Sequence, residues 1–100
     1  MKLKSLSIFF PCFNDGKILP ALVSKSRKAA SQLTSDYEII IVDDGSDGET
    51  IKILERLKRN YPRLKLVHHP KNLGYGAALR TGFKTARKEW IFLYRWRRTI

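Results

Sequence analysis

The amino-acid sequence predicts an α/β protein in which a mainly parallel sheet lies between two layers of helices, in the order β-α-β-α-β-α-β. Short apolar runs alternate along the chain with segments whose apolar residues recur at helical spacing. The connections are short, which favours parallel strands joined by right-handed crossovers. With 100 residues, 43% of them hydrophobic, the chain is long enough for one small domain or part of a larger one.

The first strand and the first helix are predicted between residues 6 and 33. Residues 6–10 are apolar and rich in β-formers, and Pro11 is expected to end this strand. Asn14 is predicted to cap the following helix, and Pro20 lies near its first turn, where proline is tolerated. The apolar side chains that recur there at helical spacing are Ile18, Leu19, Leu22, Val23, Ala29, Ala30 and Leu33.

The second strand, residues 37–42, has the strongest strand pattern in the chain. Its second half is β-branched and apolar throughout, as in a strand that is covered on both faces. Asp43-Asp44-Gly45-Ser46 ends it. Ser46 and Glu49 have the spacing of a capping box, which predicts a helix that ends at Tyr61-Pro62.

The remaining elements are a strand, a helix and the start of a fourth strand. Residues 64–67 predict the strand, and residues 75–87 predict a helix that Gly82 interrupts. Residues 90–93 begin the fourth strand. Because ligands of parallel sheets bind beyond the carboxyl ends of the strands, the site is expected on three loops. These loops are residues 11–16, 43–46 and 68–76.

The chain is strongly basic, with 20 Lys and Arg against 9 Asp and Glu and a net charge of +11. Such an excess favours polyanionic partners: nucleic acid, anionic lipid or phosphorylated substrates. Arg95, Arg97 and Arg98 crowd the last residues of the chain. No apolar run is long enough to span a bilayer. The single cysteine, Cys12, excludes an internal disulfide and fits a reducing compartment, so a cytoplasmic location is expected.

Asp43 and Asp44, at the end of the second strand, are the first candidate site residues. Because side chains alternate along a strand, one is expected to point into the cleft and the other toward the helix start. A cleft carboxylate can accept hydrogen bonds from a base or ribose or help to hold a divalent cation, whereas capping and a tight turn at Gly45 is an equal alternative. No histidine is expected near either carboxylate, so a hydrolytic dyad is not predicted. His68 and His69 are expected to be structural strand-end residues rather than metal ligands, because neighbours on an extended chain point opposite ways.

The loop after the first strand offers a ring and a carboxylate. Phe13 can stack on a nucleobase, and Asp15 can accept hydrogen bonds from it. An ordinary loop is the alternative. Cys12 has no evident base partner and is expected to be small buried filler rather than a nucleophile.

The glycine-containing loop before the third helix suits a phosphate. Gly74 and Gly76 let backbone N–H groups approach an anion at the helix N-terminus, and Arg80 with Lys84 adds positive charge. The loop is neither a Walker A motif nor a dinucleotide fingerprint, which needs a third glycine where Leu79 stands. A plain turn is the alternative.

Together, residues 7–15, 38–46 and 72–82 resemble the start of a family 2 glycosyltransferase, in particular its polyprenyl-phosphate (dolichol-phosphate mannosyltransferase-like) branch. The three segments occur in family order and with family spacing between residue 5 and about residue 92. The resemblance implies the GT-A fold, whose first half is a Rossmann-like nucleotide-binding unit. It also implies a UDP- or GDP-sugar donor, Mg²⁺ or Mn²⁺, and an acceptor such as a polyprenyl phosphate at the cytoplasmic face of a membrane.

The resemblance carries over to individual positions of this chain. Phe13 and Asp15 stand where the family has Tyr and Glu around the base, and Asp43-Asp44-Gly45-Ser46 matches the family motif whose carboxylate reads base and ribose. The loop with Asn72 matches the one that shapes the nucleotide pocket. The implied nucleotide-sugar-binding residues are Pro11, Phe13, Asn14, Asp15, Asp43, Asp44, Asn72, Gly74, Gly76 and Arg80.

The fourth strand departs from the family pattern. In the family it ends in Asp-x-Asp, which supplies metal and diphosphate ligands, but here Trp90-Ile91-Phe92 is followed by residues without this motif. No catalytic or metal-ligating residue is therefore assigned. Residues 1–92 are expected to be the N-terminal part of a glycosyltransferase 2-like domain, and residues 93–100 an aberrant basic tail. The codons that this tail permits include a set that reads Tyr-Thr-Asp-Gly-Asp-Gly-Gln one base further on, so a frameshift is the hypothesis for it.

Two alternatives to a truncated glycosyltransferase stay open. A small basic module can bind nucleic acid through the arginines of residues 95–98 and Trp96, although nucleic acid is the less expected partner. A fragment without function is the other, because a half-domain with an exposed sheet edge is marginally stable. For the leading hypothesis we expect negligible transferase activity from the 100 residues alone.

Overall fold

A computed structural model describes residues 2–94 of the chain, and most of the predicted basic tail, residues 95–100, lies outside them. The described residues form four strands and three helices in the predicted alternating order. These elements are β1 (Leu6–Cys12), α1 (Leu19–Leu33), β2 (Tyr37–Asp43), α2 (Gly48–Asn60), β3 (Leu64–His68), α3 (Tyr75–Thr85) and β4 (Trp90–Leu93). The strands are all parallel and lie in the order β3-β2-β1-β4, which confirms the α/β prediction.

The hydrophobic core lies on both faces of the central strands β1 and β2. Successive side chains of a strand point to opposite faces, so Phe9 and Phe10 belong to different clusters. Phe10 packs on one face with residues of α1 and α2, and Phe9 packs on the other with Ala78 of α3. The sheet is therefore the middle of three layers.

Helix α3 passes through Gly82 without a break, so the predicted interruption at this residue is wrong. Gly82 is buried, and a Cβ atom placed on it would overlap the ring of Phe9. The missing side chain is what lets α3 lie close to β1, since the Phe9 ring occupies the space that any larger residue needs. The glycine is a packing residue rather than a helix breaker.

Two predicted helix starts are also wrong, for one shared reason. Helix α1 begins at Leu19, five residues after Asn14, and the cap of α2 is Asp47, whose side chain accepts from the Thr50 N–H at 2.9 Å. Ser46 does not cap α2 because its hydroxyl accepts instead from the backbone N–H of Asn14 at 2.9 Å. Both predicted capping residues are used to join the loops after β1 and β2.

Strand β1 continues through Pro11 to Cys12, two residues further than predicted. Among residues 2–94, its last residues pair with β2 and not with β4, because the described ladder with β4 ends where Phe9 faces Leu93.

Within the described residues, β4 is paired on one side only and lies at the edge of the sheet. Its side chains on both faces are partly exposed, from 37% at Ile91 and Leu93 to 50% at Trp90.

Candidate functional site

The loops that follow β1, β2 and β3 meet at the carboxyl edge of the sheet, as predicted. The backbone N–H of Asp44 donates to the carbonyl of Cys12 at 2.9 Å, which joins the first two loops. The backbone N–H of His69 donates to the carbonyl of Asp43 at 2.8 Å, which joins the second and third. The parallel register brings these strand ends together because each crossover returns the chain to the same edge.

The carboxylate of Asp44 holds the loop after β3. It is nearly buried, and one oxygen accepts from the Leu73 N–H at 2.9 Å and from the ring of His69 at 2.8 Å. The other oxygen accepts from the Gly74 N–H at 3.0 Å and from the side chain of Asn72 at 3.1 Å. Burial raises the pKa of Asp44, but the bonds from His69, Leu73 and Gly74 outweigh it and leave the pKa below its usual value.

The carboxylate of Asp43 points toward the start of α2 and closes the turn there. It accepts from the backbone N–H of Ser46 at 2.9 Å and bonds the ring of His68 at 2.7 Å. The turn needs a glycine at Gly45, where φ is +78° and an added Cβ would collide with the backbone of Lys71. The tight-turn alternative therefore describes Asp43, whereas Asp44 binds the loop after β3.

The prediction that no histidine lies near either aspartate is wrong. His68 bonds Asp43, and His69 bonds Asp44 through Nδ1 and the Thr81 hydroxyl through Nε2 at 2.8 Å. The histidines follow the aspartates by 25 residues, and the register of β2 with β3 places Asp43 directly opposite His68. Both rings tie strand ends together, as expected of structural residues.

The loop after β1 presents Phe13 at the same edge of the sheet. Its side chain is 44% exposed, and its backbone N–H donates to the carboxylate of Asp15 at 3.1 Å. Asn14 has a positive φ of 55°, and its side-chain oxygen accepts from the Asp47 N–H at 2.8 Å. Asn14 therefore fixes the shape of the loop that carries Phe13, rather than capping α1.

The amino terminus of α3 lies beside the carboxylate of Asp44, and its role in binding an anion stays a prediction. Gly74 precedes the helix with a φ of +100° and, as a glycine, has no side chain to cap the first turn. The guanidinium of Arg80 lies back over this turn, 3.6 Å from the position that a Cβ on Gly76 would take. Backbone N–H groups, the helix dipole and one arginine thus converge here, an arrangement that attracts a negative group.

Cys12 lies below these loops and is expected to be chemically inert in the folded chain. Its side chain is buried, and burial together with the carboxylates of Asp43 and Asp15 raises its pKa to about 12. A thiol reacts as its thiolate, so 5,5′-dithiobis(2-nitrobenzoate) should not label the native protein but should label it fully in guanidinium chloride. Rapid labelling in native buffer would show that Cys12 is accessible.

The fold and site together define an α/β protein in which the carboxyl ends of parallel strands form one edge, where α/β sheets of this kind bind their ligands. The chain belongs to glycosyl transferase family 2, because residues 7–94 match the model of that family. The members of this family are enzymes, the glycosyltransferases. The predicted domain boundary after residue 92 stays a prediction.

Relatives support the same branch of the family. The chain is 37% identical over 90 residues to the undecaprenyl-phosphate 4-deoxy-4-formamido-L-arabinose transferase of Aeromonas hydrophila, covering 89% of this chain and 28% of that protein. It is 30% identical over 97 residues to the dolichyl-phosphate beta-glucosyltransferase of Mus musculus, covering 90% of this chain and 30% of that one. The chain therefore spans less than a third of the length of these relatives.

Solved structures show the same GT-A type of fold. The mannosyltransferase PcManGT from Pyrobaculum calidifontis, in complex with GDP-Man and Mn²⁺, matches with a TM-score of 0.71 at 20% identity, over 82% of this chain and 24% of that one. Residues 1–349 of S. aureus TarS, in complex with UDP-GlcNAc, match with a TM-score of 0.71 at 26% identity, over 93% of this chain and 26% of that one. In residues 2–94 there is no helix of the length and apolarity needed to cross a membrane.

Proposed function

We propose that this chain is the nucleotide-binding part of a family 2 glycosyltransferase, which binds a UDP- or GDP-sugar for transfer to a polyprenyl phosphate. The observation that carries the proposal is the bonding of Asp44 to Leu73 and Gly74 beside the loop of Phe13. These bonds assemble the three family segments into one edge. Related proteins named as undecaprenyl- or dolichyl-phosphate transferases support the acceptor class. Action at the cytoplasmic face of a membrane is part of the proposal.

Each part of this edge has a distinct proposed role. The half-exposed ring of Phe13 stacks on the base, and the carboxylate of Asp15 accepts from its polar edge. The open turn at Gly74 and Gly76, with Arg80 beside it, faces the diphosphate. The remaining residues of the proposed pocket shape these loops: Pro11, Asn14, Asp43, Asp44 and Asn72.

The described residues do not fit the divalent cation that the resemblance implies. Among residues 2–94 no group of three or more His, Cys, Asp or Glu side chains is placed to hold a metal ion. Both oxygens of Asp44 already accept N–H or ring donors. We therefore propose that this chain does not by itself hold the metal ion, and that the 100 residues alone do not transfer sugar.

Titration calorimetry with UDP-GlcNAc and GDP-mannose tests the proposal. We expect saturable binding of one of them, unchanged when EDTA replaces Mn²⁺. Phe13→Ala should weaken it about tenfold, because base–aromatic stacking contributes about 1–3 kcal/mol. Phe92→Ala is the matched control, since Phe92 is similarly exposed at 41% but lies on β4. Absence of saturable binding, or equal losses in the two variants, would contradict the proposed pocket.

The salt dependence of the affinity distinguishes nucleic-acid binding from the proposed function. A contact made by the excess positive charge weakens steeply as salt rises, because counterion release drives it. The arginines of residues 95–98, on which that alternative depends, lie outside the described residues. We expect a single-stranded oligonucleotide to lose its affinity between 50 and 200 mM salt while the nucleotide-sugar keeps most of its affinity. The nucleic-acid module is favoured instead if the oligonucleotide binds with this steep loss of affinity and neither nucleotide-sugar binds saturably.

A further inference from the structure

We propose that His69 is a positioning residue of the nucleotide site, which acts by fixing the carboxylate of Asp44 and, through it, the loop before α3. The inference rests on the proposed function, because the loop is the part of the pocket assigned to the diphosphate. His69 itself is not assigned a contact with the ligand. Its effect is on the geometry of the residues that form the pocket.

The ring of His69 joins two separate elements. Its side chain is 9% exposed, with Nδ1 2.8 Å from a carboxylate oxygen of Asp44 and Nε2 2.8 Å from the hydroxyl of Thr81 on α3. The adjacent His68 is different, since its side chain is 40% exposed and only its Nδ1 is bonded among the described residues. Both ring nitrogens of His69 are therefore hydrogen-bonded, whereas the ring of His68 is bonded through one nitrogen.

The chemistry of the partners determines the tautomer of His69. A carboxylate only accepts hydrogen bonds, so Nδ1 carries the proton that Asp44 receives. In the neutral ring, Nε2 then accepts from the hydroxyl of Thr81. The direction of both bonds is thus set, and the ring plane is fixed between β2 and α3.

These bonds form a closed set of contacts that holds the loop before α3. The oxygen of Asp44 that binds His69 also accepts the Leu73 N–H, and its second oxygen accepts the Gly74 N–H. Gly74 precedes α3, and the hydroxyl of Thr81, which lies on α3, bonds the ring of His69. Without the ring, the carboxylate loses the bond that orients it, and the two loop N–H groups lose a fixed acceptor.

Two conservative substitutions separate the two bonds of His69. The amide nitrogen of His69→Asn lies near the position of Nδ1 and can still donate to Asp44, whereas the longer His69→Gln reaches toward Thr81 and leaves Asp44. We expect His69→Gln to weaken nucleotide-sugar binding about tenfold and His69→Asn by less than about threefold. His68→Gln is the matched control and should also change affinity by less than about threefold, because His68 bonds Asp43 and makes no bond to Asp44.

Amide hydrogen exchange in the free 100-residue chain tests the positioning role without any ligand. The N–H groups of Leu73 and Gly74 should exchange faster in His69→Gln than in the wild type, and at the wild-type rate in His69→Asn. His69→Leu also lacks a donor to Asp44, gives a second test if His69→Gln does not fold, and should speed the same two amides. Thr81→Val leaves the bond between His69 and Asp44 in place and should leave both amides at the wild-type rate. Unchanged exchange of both amides in a folded variant that lacks the donor to Asp44 would overturn the inference. If exchange changes as expected while no variant or wild type binds a nucleotide-sugar, the positioning role stands and the proposed function fails.

Discussion

Gly82→Ala is expected to lower the free energy of unfolding by about 2–3 kcal/mol. The new methyl group would overlap the ring of Phe9, which is fully buried in the centre of the sheet and has no free space to enter. Overpacking of this kind costs about 1–3 kcal/mol and occasionally more, and it outweighs the helix propensity gained by replacing a glycine. Urea unfolding followed by circular dichroism measures the loss.

Gly48→Ala is the control for this experiment. Gly48 is the first residue of α2, and an added Cβ would meet nothing within 4 Å. Replacing this glycine should therefore leave stability unchanged or raise it by about 0.4–1 kcal/mol, because the unfolded chain loses freedom. If the two alanine variants shift the urea midpoint alike, the close packing of α3 on β1 is not what Gly82 provides.

Asp44→Asn is expected to remove nucleotide-sugar binding and to lower the free energy of unfolding by about 3 kcal/mol. The amide nitrogen that replaces one oxygen is itself a donor and would face donors, so the N–H of either Leu73 or Gly74, which bond different oxygens, loses its acceptor. A buried donor without a partner costs about 1–3 kcal/mol. Chemical unfolding and titration calorimetry on the same variant measure both effects.

The pH dependence of stability gives Asp44 a second signature. The pKa of Asp44 is lower in the folded chain than in the unfolded chain, where it is about 3.9. The carboxylate therefore stabilises the fold fully above the unfolded pKa. It loses that contribution as the pH falls through the folded pKa. Asp44→Asn should therefore be less sensitive to acid over this range than the wild type.

Asp47→Asn is the matched control for Asp44→Asn. Asparagine caps a helix about as well as aspartate, so this variant should keep its stability near that of the wild type. Equal acid dependence in the wild type and Asp44→Asn would show that Asp44 is not the group responsible.

Most of the fold was predictable because its main signals are local. Residues 37–42 identify β2 by composition alone, since a strand covered on both faces must be apolar throughout. It was also predictable that the loops of Phe13, Asp44 and Gly74 lie close together, because parallel strands joined by short crossovers end at one edge of the sheet. Family membership followed from the same three segments and was confirmed over residues 7–94.

The errors at Asn14, Ser46 and Gly82 have a common origin. Each residue type has a local preference, for a cap or for a helix end, and each is satisfied instead by a partner distant in sequence. Asn14 and Ser46 bond each other's loops across 32 residues, and Gly82 makes room for Phe9. Local spacing does not contain these partners.

The sequence by itself determined the alternation of strands and helices, the parallel sheet and the edge at which the candidate site lies, because periodicity and chain connectivity are properties of neighbouring residues. Only the tertiary structure decided that Asp44 is bonded by His69 and by the N–H groups of Leu73 and Gly74. Those bonds depend on the register of β2 with β3 and on the packing of α3, which bring together groups 25 to 30 residues apart. Hydrogen bonds act over about 3 Å, so their partners are set by where the backbone passes rather than by the order of residues.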